Sequence, residues 1–451
     1  MSANSILDQV ARITSCMDVI TLPREVVERT KLAILDALEA SCDGAEIPGG
    51  GQQVYAAIEK RQEGATLYGK ESASDVDDAI FYNIVTASYS ARNDIHTEGR
   101  VHPGLTLIPT VLGEAEARHL DGKSVLAAVV AGYETMIRMG LVVQKGKTYP
   151  LSSSLRASML AAPLGNAFAL SRLLGLDTEQ TANAAALALN HLCGVNQWRI
   201  ESTGEDAYQN AWDALNARAC VRFAAAGLVG AKGNLDGKHG FLSLFAAEDQ
   251  AHMLIDGLGS DYELLRTRSK PVGACVRLLA PCQLAQDLLE DPAFHLDGLE
   301  HIEVNVTERV ARNPWFSNKS IIGQSSAINS IPYGIAAVLL AGNIHDVTWY
   351  PPYPEEAMAL MDKIDLVYDD YSQRLEPQGC RLIAAMKDGI TLVKERLAFA
   401  PLQAHEIEQR FLSTAERRFG SDRASKMLSL VRDLEHLEDV SVFTRLFRKQ
   451  A

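Results

Sequence analysis

Up to about residue 265 the apolar positions return every three or four residues and Gly, Pro or Asn interrupts each run, a pattern that predicts successive helices. In LPREVVERTKLAILDALEASCD (22–43), Val27, Leu32, Ile34, Leu35 and Leu38 fall mostly on one face, behind a proline suited to a first helical turn. Residues 105–118, 123–140, 156–174, 178–195 and 204–230 show the same period. AAPLGNAFAL and TANAAALALN are so rich in alanine that their helices must pack closely and lie largely buried, so the N-terminal part is predicted to be all-α. Near residue 270 the texture changes. HIEVNVTE (301–308) and KIDLVYDD (363–370) alternate polar and apolar positions, and RLIAAMKDGITLVKERL (381–397) reads as strand, Asp-Gly turn, strand. Helical patches at 278–290, 329–341 and 354–361 lie between them. From PLQAHEIEQRFLSTAERRFG onward the pattern returns to amphipathic helix, which is expected to fold back on the first domain. The predicted fold is mainly α: a large all-α domain from residues 1–265 and 399–451, plus a smaller α+β domain at 266–398.

Composition narrows the function. A chain of 451 residues is long enough for two cores, and a net charge of -14 repels a phosphate backbone, so no nucleic-acid partner is expected. Cys16, Cys42, Cys193, Cys220, Cys275, Cys282 and Cys380 are scattered without metal-ligand spacing, which points to a reducing compartment and no metal site. The N-terminus lacks the positive start and apolar block of a signal peptide, and no apolar run approaches about 18 residues. The expectation is a cytoplasmic protein with no membrane partner.

Titratable residues concentrate in SYSARNDIHTEGRVHPG (88–104). So polar a run cannot be the interior of a buried helix, and a helix restarts after Pro103-Gly104. A solvated connecting loop is the plainer explanation. The functional one is that His96 and His102, which titrate near neutrality, flank a helix N-terminus whose N–H groups favour an anion. Elsewhere, Lys270 follows a polar run and reads as a surface lysine, and Cys275 as a small buried apolar residue rather than a nucleophile. Tyr149 stands in the KGKTYP loop, where it would either reach a cleft or lie exposed, and His191 on an apolar helix reads as a core histidine. WRIESTGEDAYQNAW would serve equally as an entrance or as a solvated loop and helix start.

HTEGRVHPGLTLIPTVLGEAEARHLDGKSVLAAVVAGYETMIRMG resembles the MmgE/PrpD family, whose members carry D-x-D-D-T-H, then His-Pro-Gly, an Ala-rich helix ending in Ala-Glu, and a Gly-Tyr-Glu helix. Further resemblances follow in order: APLGNAFALSRLLGLDTEQTANAAALALNHLCG, ALNARACVRFAAAGLVG, KPVGACVRLLAPCQLAQDLL and SSAINSIPYGIAAVLLAG. The resemblance implies a helical domain built from both chain ends around an α+β domain, a homodimer, and chemistry on small polycarboxylates without a cofactor. The shared step makes or quenches a carbanion-like centre beside a carboxylate, which needs an acid or base and cations to hold charge.

Carried across, the resemblance assigns Asp94, His96, His102 and Lys270 to catalysis, and Cys275 to the cysteine of the second-domain motif. Ala91, Asn93 and Ile95 stand where the family keeps two acids and a threonine; Arg156 falls on a histidine, Gln209 on a lysine and Leu279 on a histidine. An arginine in place of histidine is a permanent cation and so a carboxylate clamp, whereas glutamine keeps a donor without the charge. Arg92, Tyr149, Arg156, Gln209, Cys275 and Arg277 complete the expected substrate contacts. The leading expectation is a dehydratase of an alkylcitrate-like acid: His102 or His96 takes the proton alpha to a carboxylate, Asp94 orients one imidazole, and Lys270 and Arg156 hold carboxylates. Isomerisation or epimerisation, decarboxylation, and a non-catalytic ligand-binding descendant are the alternatives.

Overall fold

The computed structural model describes residues 5–147, 155–192, 194–375 and 378–449. The chain divides into two compact units, one comprising Met1–Asn196, Glu205–Ser269 and Gln403–Ala451, the other Gln197–Gly204 and Lys270–Leu402. The expected domain limits placed 197–204 with the helical part; this short polar segment instead clusters with the smaller unit, where Ser202 Oγ accepts the Ser326 N–H at 2.9 Å.

In the larger unit the N-terminal helices are Ile6–Ser15 (α1), Arg24–Gly44 (α2), Gly50–Ala57 (α3), Val76–Ser90 (α4), Pro103–Arg118 (α5), Gly122–Gln144 (α6), Ala162–Leu173 (α7) and Thr178–Ala188 (α8), and Ala404–Phe419 and Ser421–Arg432 join them from the C-terminal end of the chain. Gln197–Glu201 (α9) belongs to the smaller unit, and Asp206–Ala225 (α10) returns to the larger one. Short acceptors start several of them: Ser5, Asp75, Asp121 and Asp177 each bond a backbone N–H of the first turn. The predicted 204–230 helix stops at Ala225, because Gly227 turns the chain with φ 98°. Residues 65–66 and 73–74 form a two-residue antiparallel pair that the all-α expectation missed. Glu116 anchors it, accepting the Thr66 N–H at 3.0 Å and its hydroxyl at 2.6 Å.

Helices α6 and α7 cross at very short range. A Cβ on Gly132 would lie 2.8 Å from Ala169 Cβ, and one on Gly165 would lie 2.6 Å from Met136 Cβ. That contact explains the alanine and glycine content better than helix propensity does. Helix α6 also corrects the expectation about apolar runs, since it is long and apolar enough to cross a membrane by length and composition. In the fold 94% of its most apolar window is buried within the protein. His191, read as a core histidine, is exposed at the end of the short turn Leu189–His191.

The smaller unit holds a four-stranded sheet in the order Ile364–Val367, Leu299–Asn305, Cys380–Met386, Thr391–Arg396, the first pair parallel and the others antiparallel. The Asp388-Gly389 hairpin forms as predicted, with Gly389 at φ 89°. Helices Val276–Leu289 and Ile331–Ala341 pack on each other, and the first also covers the last two strands. A mainly α fold with a small α+β part is therefore what the chain adopts.

Candidate functional site

The titratable segment after α4 is not a solvated loop. Ala91 closes α4 at φ 52°, and Ala91, Asn93, Asp94, Ile95, His96 and Gly99 are all buried. Two backbone bridges hold it: Ile95 and Arg268 exchange N–H···O bonds of 2.9 Å, and the His96 N–H donates to Val101 O at 3.0 Å. The second bridge closes a tight turn in which Arg100 takes φ 54°. Gly140 is required beside it, since a Cβ there would lie 2.6 Å from Gly99 O.

Asp94 organises the segment. Its Oδ1 accepts the Gly104 N–H at 3.0 Å, and its Oδ2 accepts the Tyr133 hydroxyl at 2.9 Å. The carboxylate therefore caps the N-terminus of α5 from outside the helix, taking a donor left over in its first turn. That position was expected to receive an anion from solution; the chain's own aspartate occupies it. Burial pushes the Asp94 carboxyl up to about 6, helped by the nearby Asp36 and opposed by Arg29, Tyr133 and the Gly104 N–H. Tyr133 is fully buried on α6, and its phenol is raised well above the ordinary range, first by burial and then by the Asp94 charge.

His102 is the N-cap residue of α5 and is half-buried. Its Nδ1 lies 2.7 Å from the main-chain carbonyl of Asp94. A carbonyl can only accept, so Nδ1 carries a proton and Nε2 is the basic nitrogen of the neutral ring. Asp94 meets this imidazole through its backbone carbonyl, while its carboxylate is turned toward Gly104 and Tyr133. His96 differs. Its Nδ1 accepts the Gly99 N–H at 3.1 Å and its Nε2 faces Glu263 Oε2 at 3.2 Å, so both nitrogens are engaged in shaping the loop. Glu263 is held below the usual carboxylate range, first by the His96 hydrogen bond, against burial, and with help from Arg266. Nearby, burial pushes Glu134 up to about 7 although it accepts the Leu264 and Glu263 N–H groups at 2.9 and 3.1 Å.

A charged cluster backs the segment. Arg92, expected to meet substrate, donates to Glu39 at 2.8 Å and lies 3.5 Å from Asp43. Burial raises Glu39, but Arg410 and Arg92 outweigh it and hold the carboxyl low; Asp36 goes up, with burial outweighing Arg410. The narrow void between Asp36 and Asp94 is too small to admit a water molecule, so it is a packing gap rather than a ligand site.

A second group forms where residues 155–160 meet the start of α10. Ser158 Oγ lies 3.5 Å from Arg100 O, which joins this group to the first. The Arg156 N–H donates to Gly194 O at 2.8 Å, its Nη1 donates to Asp206 O at 2.9 Å, and Nη2 is 3.7 Å from the Asp206 carboxylate. The expected carboxylate clamp is thus already partly engaged. Gln209 Nε2 donates to Val195 O at 3.0 Å, while its buried Oε1 has no hydrogen-bond partner among the described residues. One helical turn on, buried Asp213 leaves Oδ2 without a partner among the described residues, and burial raises the carboxyl well above an ordinary aspartate, with Arg156 opposing.

Tyr149 lies outside the described residues. In the smaller unit Lys270, read from sequence as a surface lysine, is buried at the start of the Lys270–Leu402 segment, Cys275 is the half-buried N-cap of Val276–Leu289, and Arg277 is half-buried in the first turn. The Cys275 N–H donates to Ile328 O at 2.9 Å. Sequence reasoning missed Tyr133, Glu134, Asp213 and Glu263, whose partners come from distant stretches of chain. The Gly-Tyr-Glu motif was the available signal for the first two. Among the described residues no group of three or more His, Cys, Asp or Glu side chains is arranged to hold a metal.

The helical unit and the buried His-Pro-Gly segment define a recognisable class: residues 8–254 match the model of the MmgE/PrpD N-terminal domain, and the chain belongs to the MmgE/PrpD family. Its relatives include the cis-aconitate decarboxylase-like protein oryM of Aspergillus oryzae, 23% identical over 93% of this chain and 92% of that protein. Cis-aconitate decarboxylases of Mus musculus and Homo sapiens are each 24% identical over 99% of this chain, covering 94% and 95% of their own lengths.

Proposed function

We propose that this protein is a lyase acting on a small di- or tricarboxylate, with His102 as the proton-transfer group. The observation that carries the reading is the 2.7 Å bond from His102 Nδ1 to the Asp94 carbonyl, which fixes the tautomer. In the base direction Nε2 takes a proton alpha to a carboxylate; in the acid direction the imidazolium delivers one. In both directions the carbonyl bond is strongest in the cationic state of the ring, which it stabilises. Arg156, beside Asp206 in the same unit, is the cation we assign to a substrate carboxylate.

The names of the relatives favour decarboxylation over the dehydration first expected. Loss of CO2 breaks a carbon–carbon bond and leaves an electron pair conjugated with a carboxylate, and a proton from His102 completes the product. Dehydration uses the same ring as a base and remains the second reading, because His102 can run in that direction without rearrangement.

The test is NMR in deuterated water with cis-aconitate, 2-methylcitrate, citrate and iminodisuccinate. Decarboxylation yields a product one carbon shorter carrying a solvent deuteron, dehydration yields an alkene without carbon loss, and epimerisation exchanges deuterium alone. His102→Gln should lower turnover by about 10²-fold or more while leaving the fold intact by circular dichroism. Absence of turnover and exchange with all four acids would overturn the polycarboxylate reading; an unimpaired His102→Gln would remove the role of His102.

A further inference from the structure

The C-terminal part of the larger unit inverts the charge of the chain. Overall there are 57 Asp and Glu against 43 Lys and Arg. Yet Arg423 and Lys426 of Ser421–Arg432, with Arg445, Arg448 and Lys449 further on, line one cleft of about 540 Å³ in which Asp422 is the single acid among the lining residues. Five cations against one carboxylate leave four positive charges unbalanced. Neighbouring arginines of the same C-terminal part are neutralised: Arg417 lies 3.4 Å from Asp43, Arg418 2.9 Å from Glu46, and Arg432 pairs with Glu408 at 2.6 Å. Among the described residues none of the five lining cations has a carboxylate within 4 Å.

Two of the cations are fixed in place by neutral groups. Arg448 donates to the Gly64 and Gln62 carbonyls at 2.6 and 3.1 Å, and Arg423 Nη2 donates to the main-chain carbonyls of Arg445 and Arg448. The Arg423 guanidinium lies 5.3 Å from the centre of the Phe419 ring, and its Nε is buried with no hydrogen-bond partner among the described residues. Burial holds Arg423 below an ordinary arginine, as follows when a cation leaves water without gaining an anion. The field reaches further. Lys70, whose carbonyl accepts the Lys449 N–H at 2.9 Å, is lowered first by burial and then by the charges of Arg418 and Lys449. Lys426, Arg445 and Lys449 are exposed, so their ends are free to close on a ligand.

We infer that this cleft binds a small anion carrying two or more linked phosphates. Its volume falls in the range of about 300–1,000 Å³ that small ligands occupy. A single phosphate carries about -2 at most and would leave half of the charge unmet, whereas a di- or triphosphate group matches it within a few ångströms. Guanidinium forks suit phosphate oxygens, and exposed lysines supply mobile point charges around them. The negative charge of the whole chain excludes a long nucleic acid, which would meet acids on either side of the cleft. The site does not depend on the enzymatic reading, since none of its residues belongs to the group around His102.

The experiment is isothermal titration calorimetry of the full chain at about 0.15 M salt, without divalent cations, using inorganic triphosphate, ATP, orthophosphate and citrate as probes. Triphosphate should bind with a Kd of about 100 μM or tighter, and orthophosphate and citrate about 10-fold or more weakly. ATP binding tighter than triphosphate identifies a nucleotide as the ligand, and equal binding identifies the phosphate chain alone. Lys426→Glu combined with Arg445→Glu, both at exposed positions, should weaken triphosphate about 50-fold or more with an unchanged circular dichroism spectrum. Lys123→Glu, an exposed lysine of α6 outside the cleft, should leave binding unchanged, as should His102→Gln. No triphosphate binding below about 1 mM, orthophosphate or citrate binding as tightly as triphosphate, a charge-reversed double variant that binds like wild type, or loss of binding in His102→Gln would each overturn the proposal.

Discussion

Replacing Asp94 by Asn should make this protein more stable at pH 8. The carboxyl is fully buried and its ionisation is displaced from an ordinary 3.8 to about 6. At about 1.36 kcal/mol per pH unit, that displacement makes the ionised group about 3 kcal/mol less favourable in the fold than in the unfolded chain. The folded protein binds this proton more tightly, so the protonated group is without penalty below pH 3.8. Stability is then lost as pH rises toward 6 and stays lower above it. Asparagine never ionises. Its carbonyl oxygen can accept the Gly104 N–H, and its amide can donate to the Tyr133 oxygen, since a phenol accepts as readily as it donates. Urea unfolding of both proteins at pH 4.5 and pH 8 should give a gain for the variant of about 1 kcal/mol at the lower pH and about 3 kcal/mol at the higher. Because the bond to His102 comes from the backbone carbonyl, the variant should also retain the imidazole geometry. A variant less stable than wild type at pH 8, or a difference that does not change with pH, would refute the assignment.

Two further predictions concern the shaping of the loop. Glu263→Gln removes a carboxylate held low by His96, so the wild type carries stabilisation that is present above pH 4.5 and lost on acidification. The variant should unfold about 1–2 kcal/mol more easily at pH 7 and lose that deficit in acid, as read by thermal melts across pH. Gly104→Ala would place a Cβ 2.6 Å from the Tyr133 oxygen and 3.0 Å from Asp94 Oδ1. It should lower stability by about 1–3 kcal/mol and turnover with it, whereas the same change at Gly233, which has open space, should do neither.

The alanine-rich runs announced close-packed helices because a period of 3.6 and small side chains leave few other ways to bury a chain. The Asp388-Gly389 hairpin was equally legible, since a left-handed turn asks for such a pair. The first half of the candidate site was visible as an accumulation of titratable residues before Pro103-Gly104. What each of those residues bonds to was not visible. His96 and His102 look alike in one dimension, and only the fold shows that His96 meets Gly99 and Glu263 while His102 meets the Asp94 carbonyl.

By itself the chain's order of residues determined the helical period, the change of texture near residue 270, the negative charge and the family, because each depends on neighbours within a few positions or on totals. Tertiary structure decided what Asp94, Arg92 and Arg156 are engaged in. Their partners lie tens of residues away, at Tyr133, Glu39 and Asp206. Burial raises the penalty for an unsatisfied polar group, so each was drawn to the nearest donor or acceptor the fold supplied. The solvated loop with an open anion site became a buried segment whose own aspartate caps the following helix and whose backbone carbonyl holds the His102 imidazole.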